Sequence, residues 1–124
     1  MMQEDLFWFA IDEALEMVLI FEENGRIIFA NALAKRMLEY GEELCGTHIS
    51  EIFPTSFRSA GAGFETELGM DLGLKELLAY RKNRTCFSVC ARVIADKDNS
   101  GHYVCMMEDI SQKEFLERAI AQVK

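Results

Sequence analysis

The spacing of hydrophobic positions changes several times along this chain, and each change marks an element. Residues 17–21 form an apolar run, Glu22-Glu23-Asn24-Gly25 interrupts it, and residues 27–30 form a second run that stops at Asn31. Two such runs around Asn24-Gly25 predict a β-hairpin, because both turn residues tolerate the positive φ of a two-residue turn. Beyond Asn31 the period lengthens: Leu33, Met37 and Leu38 recur at helical spacing with Lys35, Arg36 and Glu39 between them. Asn31 is suited to cap this helix, its side-chain oxygen accepting an orphan backbone N–H of the first turn. Gly41 is suited to end it as the residue after the C-cap.

Upstream, residues 2–15 read as a short amphipathic helix. Leu6, Phe9 or Ala10, and Ile11 share a face, Phe7 and Trp8 widen it, and Asp12, Glu13 and Glu16 take much of the rest. So wide an apolar arc fits packing on the chain's own sheet or on a second protomer. Downstream, residues 42–45 and 49–53 predict short turns closed by Gly46 and Pro54. Residues 55–68 predict a longer, weak helix, in which Gly61 and Gly63 each cost about 1 kcal/mol against Ala. Gly-punctuated segments of this kind move easily and often wrap a ligand.

Alternation returns over residues 74–82, passes into the polar turn Arg81-Lys82-Asn83-Arg84, and resumes over 85–95. There Phe87, Val89, Ala91 and Val93 share one face, and Cys86, Ser88, Cys90 and Arg92 the other. Residues 96–101 form a turn, 102–110 a last strand, and 111–124 a helix with Ser111 as N-cap and Glu114 completing a capping box. The helix carries an apolar stripe (Phe115 or Leu116, Ala119 or Ile120, Val123) as narrow as a coiled-coil seam. At this length it needs a partner helix or a continuation to be stable. The order of elements is that of an α+β domain with helices on one face of a five-stranded antiparallel sheet.

Composition narrows the function. A chain of 124 residues, half of them hydrophobic and nine of them Phe, supplies one domain with one real core. A formal net charge of −8 argues against nucleic acid, whose phosphates reward Lys and Arg clusters, and against a polybasic membrane anchor. No apolar run approaches the ~20 residues that span a bilayer. The N-terminus carries acids where a secretory signal carries bases, so a cytoplasmic location is expected. Cys45, Cys86, Cys90 and Cys105 form no C-x-x-C pair and read as small hydrophobes in a reducing compartment. A thiol redox switch through Cys86, Cys90 or Cys105 is the alternative. If those three met across neighbouring strands they would still fall one ligand short of a structural zinc site.

Four stretches are informative in their order and spacing. The first is Asn24-Gly25-Arg26-Ile27-Ile28 followed by Asn31, Ala34 and Leu38. The second is Tyr40-Gly41-Glu42-Glu43-Leu44-Cys45-Gly46, closed by Ile52-Phe53-Pro54. The third is Tyr80-Arg81-Lys82-Asn83-Arg84-Thr85-Cys86-Phe87-Ser88-Val89, and the last is Glu108-Asp109-Ile110-Ser111. Taken in order they resemble the PAS domain, a sensory-box family of bacterial signalling proteins. The resemblance covers nearly the whole chain and is weakest in the middle third, which usually selects the ligand in this family. Arg84 stands where the family carries Gly, so Asn83 is expected to take the positive φ.

The resemblance implies a sheet of strand order 2-1-5-4-3 with short helices on one face, a helical cap over residues 1–15, a PAS core over 16–111, and the start of a signalling linker helix over 112–124. It implies a non-enzymatic sensory module that dimerises through Leu6, Phe7, Phe9 and Ala10. The signal would leave at Asp109 and Ser111 toward a C-terminal output domain such as a histidine kinase. The chain stops one short helix past Ser111, which reads as a domain excised from a longer protein. A ligand-free relay domain and a small enzyme on a PAS-like sheet are the competing readings.

Haem is disfavoured, because haem-binding relatives place an axial His after a P-x-x-x-R segment, and Pro54 to Arg58 lead here into Ser59-Ala60-Gly61-Ala62. His48 lies in another loop and His102 begins the last strand. A covalent flavin is disfavoured too, because the N-C-R-F-L-Q motif is absent; FAD held without a covalent bond leaves only a weak sequence trace. No nucleophile elbow, zinc-protease motif or phosphate loop occurs. The positive chemical reading is a small organic ligand or none. Met37, Phe53, Phe57, Phe64, Leu68, Leu78, Phe87 and Val89 would line an apolar cavity, with Arg58 reaching an anion at its mouth. The plainer alternative is that these residues fill the core.

Overall fold

The computed structural model describes residues 16–66, 73–95 and 101–123. The elements are β1 (Met17–Glu22), β2 (Ile27–Ala30), α1 (Ala32–Met37), a 3₁₀ turn (Gly41–Leu44), α2 (Ile49–Ile52), β3 (Phe57–Ala60), β4 (Gly63–Thr66), β5 (Lys75–Tyr80), β6 (Cys86–Ala95), β7 (His102–Asp109) and α3 (Ser111–Val123). Five strands form one antiparallel sheet in the order β2-β1-β7-β6-β5. Without β3 and β4 this is the order 2-1-5-4-3 expected above. The expected N-terminal helix over 2–15, and with it Leu6, Phe7, Phe9 and Ala10, lies outside the described residues, as does Leu68.

Alternation along the strands sets the core. Leu19 and Phe21 of β1, Val89 of β6, and Cys105 and Met107 of β7 are buried on one face, where they meet Ala34, Leu38, Leu44, Ile49, Ile52 and Phe53 from the helical segments. Asn31 holds the first junction. Its Oδ1 accepts the N–H groups of Ala34 (3.0 Å) and Val18 (3.1 Å), and its Nδ2 donates to the carbonyl of Glu16 (2.8 Å). The expected helix cap is therefore also a tie between α1 and the start of β1.

The structure corrects the sequence reading at five places. The helix expected over 55–68 is absent from its described part, 55–66: β3 and β4 pair as a separate two-stranded hairpin. Phe57 and Phe64, seven residues apart, would share a face in a helix, so the apolar pattern alone does not separate the two forms. Two glycines penalise a helix, whereas a turn uses Gly61 at φ +55°. The β1–β2 loop has three residues, not two: the Glu22 N–H donates to the Arg26 carbonyl (2.9 Å), and only Gly25, at φ +85°, takes the left-handed conformation. The β5–β6 loop repeats this geometry, with the Arg81 N–H donating to the Thr85 carbonyl (2.8 Å). There Arg84 itself, not Asn83, sits at φ +70°, and Asn83 Oδ1 instead accepts the Thr85 N–H (3.0 Å). The first helix ends two residues earlier than Gly41 suggests, with Glu39 at φ +62° after the C-cap Leu38. Finally, Ser111 is the first residue of α3 rather than its cap.

Candidate functional site

The space between the sheet and the β3–β4 hairpin is filled from both sides by aromatic rings. Phe21 of β1 stacks on Tyr103 of β7 (centroids 5.3 Å) and meets Phe64 (5.5 Å) and Phe57 (5.9 Å) edge-on. Phe57 also contacts Phe64 (5.5 Å) and Phe53 (5.9 Å), and Phe64 meets Tyr103 (5.6 Å). Pairing explains the convergence: Phe21 is opposite Tyr103 in the sheet, while Phe57 and Phe64 lie on the same face of the hairpin, next to Ser59 and Thr66. Edge-to-face and stacked pairs of this kind add about 0.5–1.5 kcal/mol each beyond area burial.

The expected lining residues divide. Phe53, Phe57 and Phe64 belong to this cluster, and Met37, Phe87 and Val89 belong to the same core. Arg81 places its guanidinium 4.3 Å above the Phe87 ring, closing the core at the β5–β6 turn. Leu78 does not face this space. It pairs with Ser88, on the face opposite Val89, and is 39% exposed; Leu77, opposite Val89, is the inward residue. The alternation over 74–82 is loose, and a shift of one residue exchanges the two faces of a strand. Leu78 lines instead an open cleft of about 400 Å³ with Thr55, Ser56, Glu76, Leu77 and Ser88. Arg58 is exposed on the face of β3 opposite Phe57, across from Glu65. It does not reach the aromatic cluster.

Three residues of the site escape the sequence reading. Phe21 and Tyr103 are inward positions of their strands, a signal present in the alternation but not assembled until β1 and β7 are paired. His48 is the third. Its Nδ1 accepts the Ser50 N–H (3.1 Å), which leaves the proton on Nε2 to be donated to the Gly63 carbonyl (3.2 Å).

The cysteines do not gather. Cys86 and Cys90 face outward, while Cys105 is buried on the core face of β7. Burial alone pushes the Cys105 thiol up to about 12. Cys86 and Cys90, four residues apart on one strand, are about 13 Å apart, too far for a disulfide. Among the described residues no group of three or more His, Cys, Asp or Glu is placed to hold a metal, and no helix is long and apolar enough to cross a membrane.

At the far end of β7, Asp109 Oδ1 accepts both the N–H (2.9 Å) and the hydroxyl (2.6 Å) of Ser111. The Ile110 N–H donates to the Ser88 carbonyl (3.0 Å), so the start of α3 is fastened to both β7 and β6. Beyond this point Leu116 and Ile120 stand one helical turn apart and are 52% and 59% exposed.

A family model described as a PAS domain matches residues 15–112. No curated protein matches the chain. Among solved structures, it is similar to the PAS domain of an HTR-like protein from Haloarcula marismortui, with 18% identity over 88% of this chain and 98% of that one and a TM-score of 0.68. It is similar also to a PAS domain from a two-component sensor histidine kinase, with 13% identity over 87% and 96% and a TM-score of 0.64. A third is a domain of a sensory box sensor histidine kinase/response regulator from Geobacter sulfurreducens, with 10% identity over 86% and 94% and a TM-score of 0.63. At these identities the structures speak for the fold, and the family model, matching most of the length, for the family: this chain belongs to the PAS domain family.

Proposed function

We propose that this PAS domain is the sensory input module of a cytoplasmic signalling protein and that its signal is a change of packing in the Phe21–Phe57–Phe64–Tyr103 cluster. One observation carries the reading. β7 contributes Tyr103 to the cluster, Cys105 and Met107 to the buried core, and Asp109 to the anchor of α3. A small apolar ligand entering among the rings would displace β7 at one end, and the strand would carry that displacement to the helix at the other. Dimerisation through Leu6, Phe7, Phe9 and Ala10 and a C-terminal output domain such as a histidine kinase complete the proposal; two of the similar structures come from sensor histidine kinases.

A second reading, a ligand-free relay, draws on the same rings, since Phe53 and Phe57 are fully buried and already fill the space a ligand would take. Native mass spectrometry of the purified chain, followed by denaturation and an absorption scan, separates the two. The sensing reading expects an excess mass released on denaturation, with a spectrum that distinguishes haem, flavin and a colourless metabolite. A bare polypeptide mass from several expression hosts would favour the relay.

A further inference from the structure

We propose that the β3–β4 hairpin is the gate of the PAS core and that His48 is its latch. The inference rests on the reading of that core as the sensing space, but its test needs no ligand.

Among the described residues the hairpin is a sheet of its own, its two strands pairing with each other. Its inward face supplies Phe57 and Phe64 to the aromatic cluster. If the hairpin swings outward, Phe21 and Tyr103 lose their cover. At its base the Thr66 hydroxyl donates to the Ser56 carbonyl (2.6 Å), tying the two ends of the hairpin to each other, and the Phe57 N–H donates to the Phe53 carbonyl (2.8 Å), tying the base to the end of α2. Near its turn, His48 Nε2–H donates to the Gly63 carbonyl (3.2 Å).

The seat of the His48 ring is specific. A Cβ on Gly25 would lie 2.6 Å from His48 Cε1 and 2.7 Å from Cδ2, so the imidazole rests directly on the backbone of the β1–β2 loop. Gly63 in turn has no room for a side chain, since a Cβ there would lie 2.9 Å from the Glu23 carbonyl oxygen of the same loop. The ring is oriented by Ser50, whose N–H and hydroxyl lie 3.1 and 2.8 Å from Nδ1. His48 thus joins three separate pieces: the β1–β2 loop, the start of α2, and the hairpin. Of the three contacts of His48, the bond to Gly63 is the one that reaches the hairpin and must break for it to open, which is what a latch requires.

Hydrogen exchange by mass spectrometry on the full chain tests this. His48→Asn keeps an N-cap acceptor for α2 but is too short to reach Gly63. Gly25→Ala drives a methyl into the imidazole. Gly41→Ala is the control: its φ of +61° is also left-handed, yet nothing lies within 4 Å of the added carbon. His48→Asn and Gly25→Ala are expected to accelerate exchange over residues 57–66 about tenfold, the loss of one ordinary hydrogen bond, while β6 and β7 keep their protection. Gly41→Ala is expected to leave 57–66 at the wild-type rate. Wild-type protection of 57–66 in His48→Asn would overturn the latch. So would acceleration spread equally over 57–66, β6 and β7, because that is loss of the whole fold and not the opening of a gate.

Discussion

Asn31 is polar and fully buried, so each of its amide atoms has to be matched. Removing the side chain leaves two buried N–H groups, those of Val18 and Ala34, without their acceptor. Asn31→Ala is therefore expected to lower unfolding stability by roughly 3 kcal/mol, read from urea denaturation, since each orphaned donor costs about 1–3 kcal/mol. Asn31→Asp, which keeps the acceptor oxygen, should recover part of the loss. The cap was legible in the sequence, because the residue type and the change of hydrophobic period coincide there. The tie to β1 was not, because the partners at Val18 and Glu16 are distant in sequence. His48 escaped for the same reason: its meaning depends on Gly25 and Gly63, both remote in the chain.

At the scale of elements, the two hairpin loops with matching geometry, at 23–25 and 82–84, use different residues at the left-handed position. Gly25 occupies it without strain. Arg84 occupies it at a cost of about 1 kcal/mol, typical of a side chain with a Cβ there. In return its Nη1 donates to the Glu51 carbonyl at the end of α2 (3.0 Å), and its guanidinium lies 5.1 Å from the centroid of the Tyr80 ring. Neighbouring Lys82 pairs with Glu43, and its N–H donates to the Leu38 carbonyl (3.0 Å). The loop thereby fastens the sheet to three helical segments. Arg84→Ala keeps the strain and loses the contacts, whereas Arg84→Gly loses only the contacts. The glycine variant is expected to be more stable than the alanine variant by about 1 kcal/mol in thermal or urea unfolding. Strand positions were readable because alternation persists over β6 and β7. Where apolar residues are sparse, as over 55–66, the same spacing fits helix and hairpin alike, and the glycines together with contact to Phe21 and Tyr103 favour the hairpin.

Across the whole molecule, the five-stranded sheet links its two ends through β7. Tyr103 belongs to the aromatic cluster and Asp109 holds α3, about 20 Å apart at an ordinary strand rise over six residues. The strand is hydrogen-bonded on both sides, to β1 and to β6, so a displacement at one end is not absorbed by slack along its length. Asp109 and Ser111 stood out in the sequence through the family pattern, but their connection along one strand to Tyr103 was visible only once β7 was seated between β1 and β6.

The most direct test of this coupling compares amide NMR spectra of the wild type, Phe64→Leu and Glu65→Gln. The first substitution alters the ring cluster, while the second changes the neighbouring residue on the outward face of the same strand. The account predicts that Phe64→Leu shifts the amides of residues 109–112 and that Glu65→Gln leaves them in place. Shifts in Phe64→Leu that stay within β1, β3, β4 and the vicinity of Tyr103, with 109–112 unmoved, would contradict it.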